Sequence, residues 1–185
     1  MGREFFVSKY LTLRPHFGMR LDWIRQTNRG YYQNQTNSSQ INFDKKDQWY
    51  GIGLAGGVDS QWDLGKGWSL FGNIAGAILY GLHNMDIDET NSPAQSNSAG
   101  GVYADVDESY RISHPILDVQ GGIRWDNMFD HDRLHLGVQI GWEHHIYFSQ
   151  NQFPVFPDAS NPGLMVSNQG DLALQGWTFS ARFDF

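Results

Sequence analysis

No cysteine occurs among the 185 residues, which excludes disulfides, thiolate metal sites and thiol catalysis together. Cations are scarce as well. Thirteen Lys and Arg against twenty Asp and Glu give a net charge of -7, and affinity for nucleic acid rests on clustered basic residues, so nucleic acid is not an expected partner. Long apolar runs are missing: the best, "IAGAILYGL" at 74–82, falls short of the ~18 residues that a membrane helix needs and carries two glycines. Helical membrane spans are thereby excluded. The start, "MGREFF", lacks the basic-then-apolar order of a secretory leader. None of these absences excludes a membrane β-barrel, whose strands alternate lipid-facing and lumen-facing residues and average to an unremarkable hydropathy.

Aromatic residues are abundant, with seven Trp, eight Tyr and twelve Phe, and they recur at every second position. In "TLRPHFGMRLDW" the odd positions Leu13, Pro15, Phe17, Met19, Leu21 and Trp23 are apolar, while Thr12, Arg14, His16, Arg20 and Asp22 alternate with them. "LHLGVQIGWEHHIYF" sets Leu134, Leu136, Val138, Ile140, Trp142, Ile146 and Phe148 against His135, Gln139, Glu143 and His145. Segments 48–62, 68–83 and 110–126 read alike, with Phe71 and Leu79 as exceptions on the small, polar side. The chain ends in "GWTFSARFDF", where Trp177, Phe179, Ala181, Phe183 and Phe185 oppose Thr178, Ser180, Arg182 and Asp184. This two-residue period is that of strands with one apolar and one wet face. With the short start "REFFV", seven strands are expected.

Connections alternate in length. "SKY", "DLGKG" and "NMFDHDR" are short, whereas 27–46, 84–108 and 149–169 are long, polar and rich in Asn, Ser, Gln and Gly. Outer-membrane barrels pair short periplasmic turns with long extracellular loops in this way. Trp23, Trp62, Trp68, Tyr80, Trp125 and Trp142 lie toward the ends of the apolar segments, where aromatic rings favour the membrane interface. The expected fold is all-β: an antiparallel up-and-down transmembrane β-barrel occupying 1–185 as one domain. Seven strands with the last one descending leave the first residue on the opposite side from the last, whereas single-chain bacterial barrels have even strand numbers and both ends inside. The expectation is therefore a C-terminal section of a larger barrel.

"REFFVSKYLTLRPHFGMR" near the start and "GDLALQGWTFSARFDF" at the end resemble the Legionella-type major outer membrane protein family, a pore-forming group with members in chlamydia-related bacteria. The resemblance implies a porin-like barrel in the outer membrane of a Gram-negative bacterium. It also implies that Trp177, Phe179, Phe183 and Phe185 form the terminal signal that the barrel-assembly machinery reads.

Candidate chemistry is sparse. "GIGLAG" at 51–56 matches a dinucleotide fingerprint, but that motif functions where a strand hands over to a helix, and no helical pattern follows. In "EHH" at 143–145, Glu143 and His145 share one face and His144 points the other way, too few ligands for a zinc site. Inward charges are of both signs: Arg14, Arg20, Arg124 and Arg182 with Asp22, Asp118, Glu143 and Asp184. They either stay hydrated in a lumen and shape the field a solute crosses, or pair and stiffen the wall. "MDIDET" at 85–90 and "ADVDES" at 104–109 would face Asp86 and Asp88 toward Asp105 and Asp107, a weak candidate for a Ca²⁺ or Mg²⁺ site shared with lipopolysaccharide phosphates, or simply a solvated acidic hairpin.

The expected function is passive diffusion of small hydrophilic solutes. The lumen would be lined by even positions of 12–22, 118–124 and 174–184 and odd positions of 49–59, 69–77 and 135–145, with Arg14, His16, Arg20, Asp22, Asp118, Gln120, Arg124, His135, Gln139, Glu143, His145 and Arg182 as its polar residues. Outer-membrane lipid, lipopolysaccharide, the assembly machinery and a homo-oligomer are the expected partners; no cofactor and no enzymatic activity are expected. The competing classes are a non-conducting structural or adhesive surface barrel, which would display the long loops, and a soluble lipocalin-like ligand-binding barrel, which would need the apolar rows inside.

Overall fold

A computed structural model describes residues 5–33, 40–92, 101–129, 134–152, 154–155, 166–167 and 169–185. Its strands are β1 (Phe5–Phe6), β2 (Leu11–Gln33), β3 (Gln40–Gly65), β4 (Trp68–Ser92), β5 (Gly101–Phe129), β6 (Leu134–Asn151), β7 (Pro154–Val155), β8 (Val166–Ser167) and β9 (Gly170–Asp184). Seven of them form one antiparallel sheet in the order β1-β2-β3-β4-β5-β6-β9, and β7 pairs only with β8. Each strand lies beside its neighbour in sequence, the up-and-down arrangement. The sheet is open: among the described residues β1 does not pair with β9. It is nonetheless curled into a section of a barrel, because Arg20 and Gln26 on β2 reach Asp118 on β5 and Asn151 on β6 across its concave face.

The turn between β3 and β4 shows how the chain reverses on the side of the short connections. Lys66 and Gly67 both have positive φ, 54° and 81°, the pair of left-handed conformations that a two-residue hairpin turn matched to the strand twist requires. Asp63 Oδ1 accepts a hydrogen bond from Gly65 N at 2.8 Å. Asp126 N donates to Gly67 O at 2.8 Å, so the turn leans against β5, and a Cβ at Gly67 would collide with the Asp126 carbonyl.

Register fixes which side chains share a level. Leu11, Trp62, Leu70 and Ile123 lie on one rung across β2 to β5, and Trp23, Tyr50, Leu82 and Arg111 on another twelve residues further along β2. Twelve steps span about 40 Å of strand, or about 30 Å of height at the usual barrel tilt. Between these rungs the convex face is apolar and exposed: Phe17, Met19, Leu21, Ile52, Leu54, Ile74 and Ile78 all stand out. The concave face there is polar, as a membrane barrel requires.

Above the rung of Trp23, Tyr50, Leu82 and Arg111 the period of two continues but its phase inverts. On β4, Ile74, Ile78 and Tyr80 face outward at even positions, whereas beyond Leu82 the outward positions are Asn84, Asp86 and Asp88 and the buried ones are His83, Met85 and Ile87. β2 and β3 change likewise, with Arg25 and Gln48 outward while Ile24 and Trp49 pack inward. Lipid outside selects apolar residues outward; water outside reverses the choice. The inversion therefore marks where the wall leaves the membrane on the side of the long connections.

Three expectations are corrected here. Segments 27–46 and 84–108 are not loops over most of their length: β2 continues to Gln33, β3 starts at Gln40, β4 continues to Ser92 and β5 starts at Gly101. In 149–169, β6 continues to Asn151 and β7 and β8 add a small hairpin. Among the described residues the initial strand covers Phe5–Phe6, paired with Leu13 and Thr12, and Val7 is not part of it; Arg3 and Glu4 lie outside the described residues. Because the strands outrun the membrane, Trp23 and Tyr80 fall in mid-strand, and Trp142 faces Trp177 in the middle of β6 rather than at an end.

Candidate functional site

The polar concave face is organised in layers. At the short-turn end, His135 lies between two carboxylates, Nε2 3.2 Å from Asp126 and Nδ1 3.1 Å from Asp184. Each of these aspartates also takes an arginine from its own strand, Arg124 Nε at 2.6 Å and Arg182 Nε at 2.7 Å. Gly137 opposes both Asp126 and Arg182 in the ladders, and its missing side chain leaves the space that Asp126 Oδ1 fills.

Above this lies a polar cavity of about 310 Å³ lined in part by Arg14, Asp59, Gln61, Asn73, Arg124 and Gln139. Asn73 Nδ2 donates to Gln120 Oε1 at 3.0 Å. His16 stands 3.5 Å from Asp59. Arg14 makes no ion pair or hydrogen bond with the described residues, so its guanidinium is available to the cavity.

The middle layer is a network across the curl. Arg20 Nε donates to both Asp22 oxygens at 3.0 and 2.9 Å, Nη1 to Asp118 Oδ2 and Nη2 to the Tyr147 hydroxyl at 3.1 Å. His145 Nδ1 bonds the other Asp118 oxygen at 2.7 Å and its Nε2 lies 3.8 Å from Glu143. A guanidinium shared by two carboxylates and a hydroxyl is a rigid cross-link, since its fork fixes several donors in one plane.

Three of these arginines share one spacing. "RLD" (20–22), "RWD" (124–126) and "RFD" (182–184) each place an Arg and an Asp two apart on a strand, hence on the same face, and each forms its pair. Between the two boundary rungs, two inward guanidiniums (Arg14, Arg20) face four inward carboxylates (Asp22, Asp59, Asp118, Glu143). The field of this wall is negative on balance.

From the rung of Gly18, Ala77 and Ile116 upward, across the membrane boundary, part of the concave face closes into a core. Trp49, Ala77, Leu79 and Ile116 are buried together, with Ile24, Ala55 and Tyr147 packed against them. A Cβ at Gly81 would strike the Tyr50 carbonyl and lie 2.7 Å from Trp49 Nε1, so this glycine is what lets the indole lie flat on the wall. Beside the core runs a buried chain: Asp47 Oδ1 to His83 Nδ1 at 2.9 Å, His83 Nε2 to His114 Nε2 at 2.7 Å, and His114 Nδ1 to Phe148 O at 2.9 Å. His83, His114 and Asp47 are at most 1% exposed.

Hydrogen-bond chemistry sets the direction of this chain. The Phe148 carbonyl only accepts, so His114 Nδ1 carries the proton; a neutral His114 then accepts at Nε2 from His83 Nε2–H, and the remaining proton lies between His83 and Asp47. Tyr110 stacks on His83 at 5.2 Å and 10°, and burial, with help from Asp47 and Glu108, pushes its hydroxyl up to about 12.

Of the residues singled out from the sequence, Arg20, Asp22, Asp118, Glu143 and His145 meet in the middle network, and Arg124, His135 and Arg182 meet at the short-turn end. Arg14, Arg124 and Gln139 line the cavity, with Gln120 beside it and His16 on Asp59. Trp177, Phe179, Phe183 and Phe185 are exposed on the convex side of β9, which pairs only with β6. Asp86 does face Asp107, and Asp88 faces Asp105, yet Lys46 approaches Asp86 at 3.5 Å. No group of three or more metal-ligating side chains converges among the described residues, so the carboxylates stand in pairs on a wetted wall and the proposed cation site is not assembled. Asp47, His83, His114, Asp126 and Tyr110 had not been singled out; only the R-x-D spacing could have disclosed one of them.

No curated protein and no solved structure gives a significant match to this chain. Residues 1–185 match the family described as the Legionella pneumophila major outer membrane protein precursor, and the chain belongs to that family of Gram-negative outer-membrane β-barrel proteins.

Proposed function

We propose that the protein forms a pore through which small hydrophilic solutes diffuse, with a weak preference for cations. The observation that carries this reading is the two-sided wall: an apolar convex belt about 30 Å high backed by a concave face of ion pairs, amides and a polar cavity of about 310 Å³. Charged groups on such a face are hydrated in a lumen and bias the ions that cross it, and four carboxylates against two guanidiniums on the spanning levels favour cations. Arg20, stretched from β2 to β5 and β6, would set the narrowest level of the polar part. Outward Trp177, Phe179, Phe183 and Phe185 on β9 would be the surface that the assembly machinery engages.

One observation favours a second reading, a surface barrel that does not conduct: the Trp49, Leu79 and Ile116 core, joined by Ile24 and Tyr147, covers the concave face beside and above Arg20. Planar-bilayer recording of the full-length protein, folded as judged by heat-modifiable gel mobility, separates the two. Stepwise currents with a cation-selective reversal potential support the pore. Silence in wild type together with currents in Trp49→Ala would mean that the core is a plug and the second reading is correct.

A further inference from the structure

Just above the lipid-facing belt, on the convex face, Arg111 makes no hydrogen bond, ion pair or ring contact with any described residue, although it stands on the same rung as Trp23, Tyr50 and Leu82. This rung and the one below it, Leu21, Ile52 and Tyr80, border an open groove of about 430 Å³ with Arg111 at its rim. Arg25 lies one rung higher, its guanidinium 5.9 Å from the Trp23 ring. It leads a row of hydrogen-bonding groups, Gln48, Asn84 and Ser109. The ring contact and the Gln48 amide oxygen, which accepts from Arg25 Nη2 and Nε at 3.2 and 3.3 Å, orient the guanidinium and leave its remaining N–H groups to the outside.

We infer that this patch binds the phosphorylated headgroup of an anionic glycolipid of the outer leaflet, Arg111 and Arg25 clamping the phosphate and the groove beneath receiving the lipid. Depth on the wall argues for a lipid. The rung of Trp23, Tyr50 and Leu82 is where lipid-facing residues give way to polar ones, so the groups that approach it from outside are headgroups. Chemistry argues for a phosphate. An unpaired guanidinium at the edge of hydrocarbon is costly until it meets an anion, and the planar fork suits two phosphate oxygens at once. Large aromatic side chains beneath, Trp23 and Tyr50, favour this interfacial depth.

Surrounding charges set the limits of the patch. Lys46 stands one rung above Gln48, but its ammonium is drawn to Asp44 at 3.9 Å and Asp86 at 3.5 Å. Beyond it the outward positions turn acidic, with Asp86 opposite Asp107 and Asp88 opposite Asp105, and these repel a second phosphate. A single phosphate position between Arg25 and Arg111 is what remains. This inference rests on the outer-membrane barrel and on the phase inversion of its wall, and it holds whether or not the barrel conducts.

The test is exchange of fluorescently labelled bisphosphorylated lipid A onto the full-length protein in detergent micelles, compared with the same lipid after enzymatic removal of its phosphates. Wild type should prefer the phosphorylated form, and because a charge-assisted hydrogen bond is worth about tenfold or more in affinity, Arg111→Gln should weaken it by about that factor and Arg25→Gln/Arg111→Gln further. Lys9→Gln, on the opposite side of the membrane, should leave binding unchanged. Equal affinity for both lipid forms would overturn the inference, as would unaltered binding by a double variant that retains heat-modifiable mobility. Displacement of lipid A by millimolar inorganic phosphate would show a site for free anions and overturn the assignment to a lipid.

Discussion

Replacing His114 by phenylalanine is the most direct test of the buried chain that ties β3 to β6. The substitution keeps the ring but removes both nitrogens. His83 Nε2 is then left fully buried without a partner, and the partly buried Phe148 carbonyl loses its donor. An orphaned buried polar group costs ~1–3 kcal/mol, and two of them, one only half enclosed, amount to about 2–4 kcal/mol. The triple variant Asp47→Leu/His83→Phe/His114→Phe removes every polar side chain of the network, so only the partly buried Phe148 carbonyl is left without its donor. It is expected to lose less than His114→Phe alone, because an apolar replacement of a whole network can be nearly neutral. Urea titration of folding into phospholipid vesicles, read by heat-modifiable mobility, compares wild type, the three single variants Asp47→Leu, His83→Phe and His114→Phe, and the triple. A triple variant that loses the sum of the three single losses would refute the coupled chain.

Arg20→Ala removes the cross-link from β2 to Asp118 and Tyr147, and single-channel conductance should rise if that side chain is the narrowest polar level; an unchanged conductance places the constriction elsewhere. Asp59→Asn combined with Glu143→Gln removes the excess of two carboxylates over guanidiniums on the spanning wall, so the reversal potential in a salt gradient should move to near zero. Gly81→Val sets a branched side chain against the Tyr50 carbonyl and Trp49, and overpacking of this kind costs ~1–3 kcal/mol; the urea midpoint should fall, and Trp49→Ala should restore part of the loss because it vacates the space.

Much of the sheet was legible because alternation on a strand is a local property. Phe17, Met19, Leu21 and Trp23, or Trp177, Phe179 and Phe183, announce their face without any knowledge of neighbours. The same rule puts Arg20 with Asp22 and Arg182 with Asp184, although only the register reveals that Arg20 also reaches a strand 98 residues away at Asp118. The His83 chain was hidden for that reason: Asp47, His83 and His114 are 36 and 31 residues apart, and nothing local distinguishes a buried histidine from one in a wet lumen. The long connections were misjudged on composition. Asn84, Asp86, Asp88, Asp105 and Asp107 look like loop residues, yet they are the outward half of an alternation whose inward half is His83, Met85, Ile87, Val106 and Tyr110.

That inverted alternation also explains how strands of 23 to 29 residues can stand when a membrane crossing needs only about 9–11. Within the belt, lipid takes up the apolar convex face and the polar concave face is held by ion pairs. Beyond it, water surrounds the convex side, and a two-sided polar wall would have nothing to bury. The wall remains ordered because its concave side carries its own core there, Trp49, Met85 and Ile87, which is the arrangement of a water-soluble sheet and runs on downward into Leu79 and Ile116 within the belt. The buried chain crosses the boundary, with Asp47 and His83 above the rung of Leu82 and His114 below it. The two halves of each long strand thus obey opposite solvents, and the rung of Trp23, Tyr50, Leu82 and Arg111 is the level at which one rule hands over to the other.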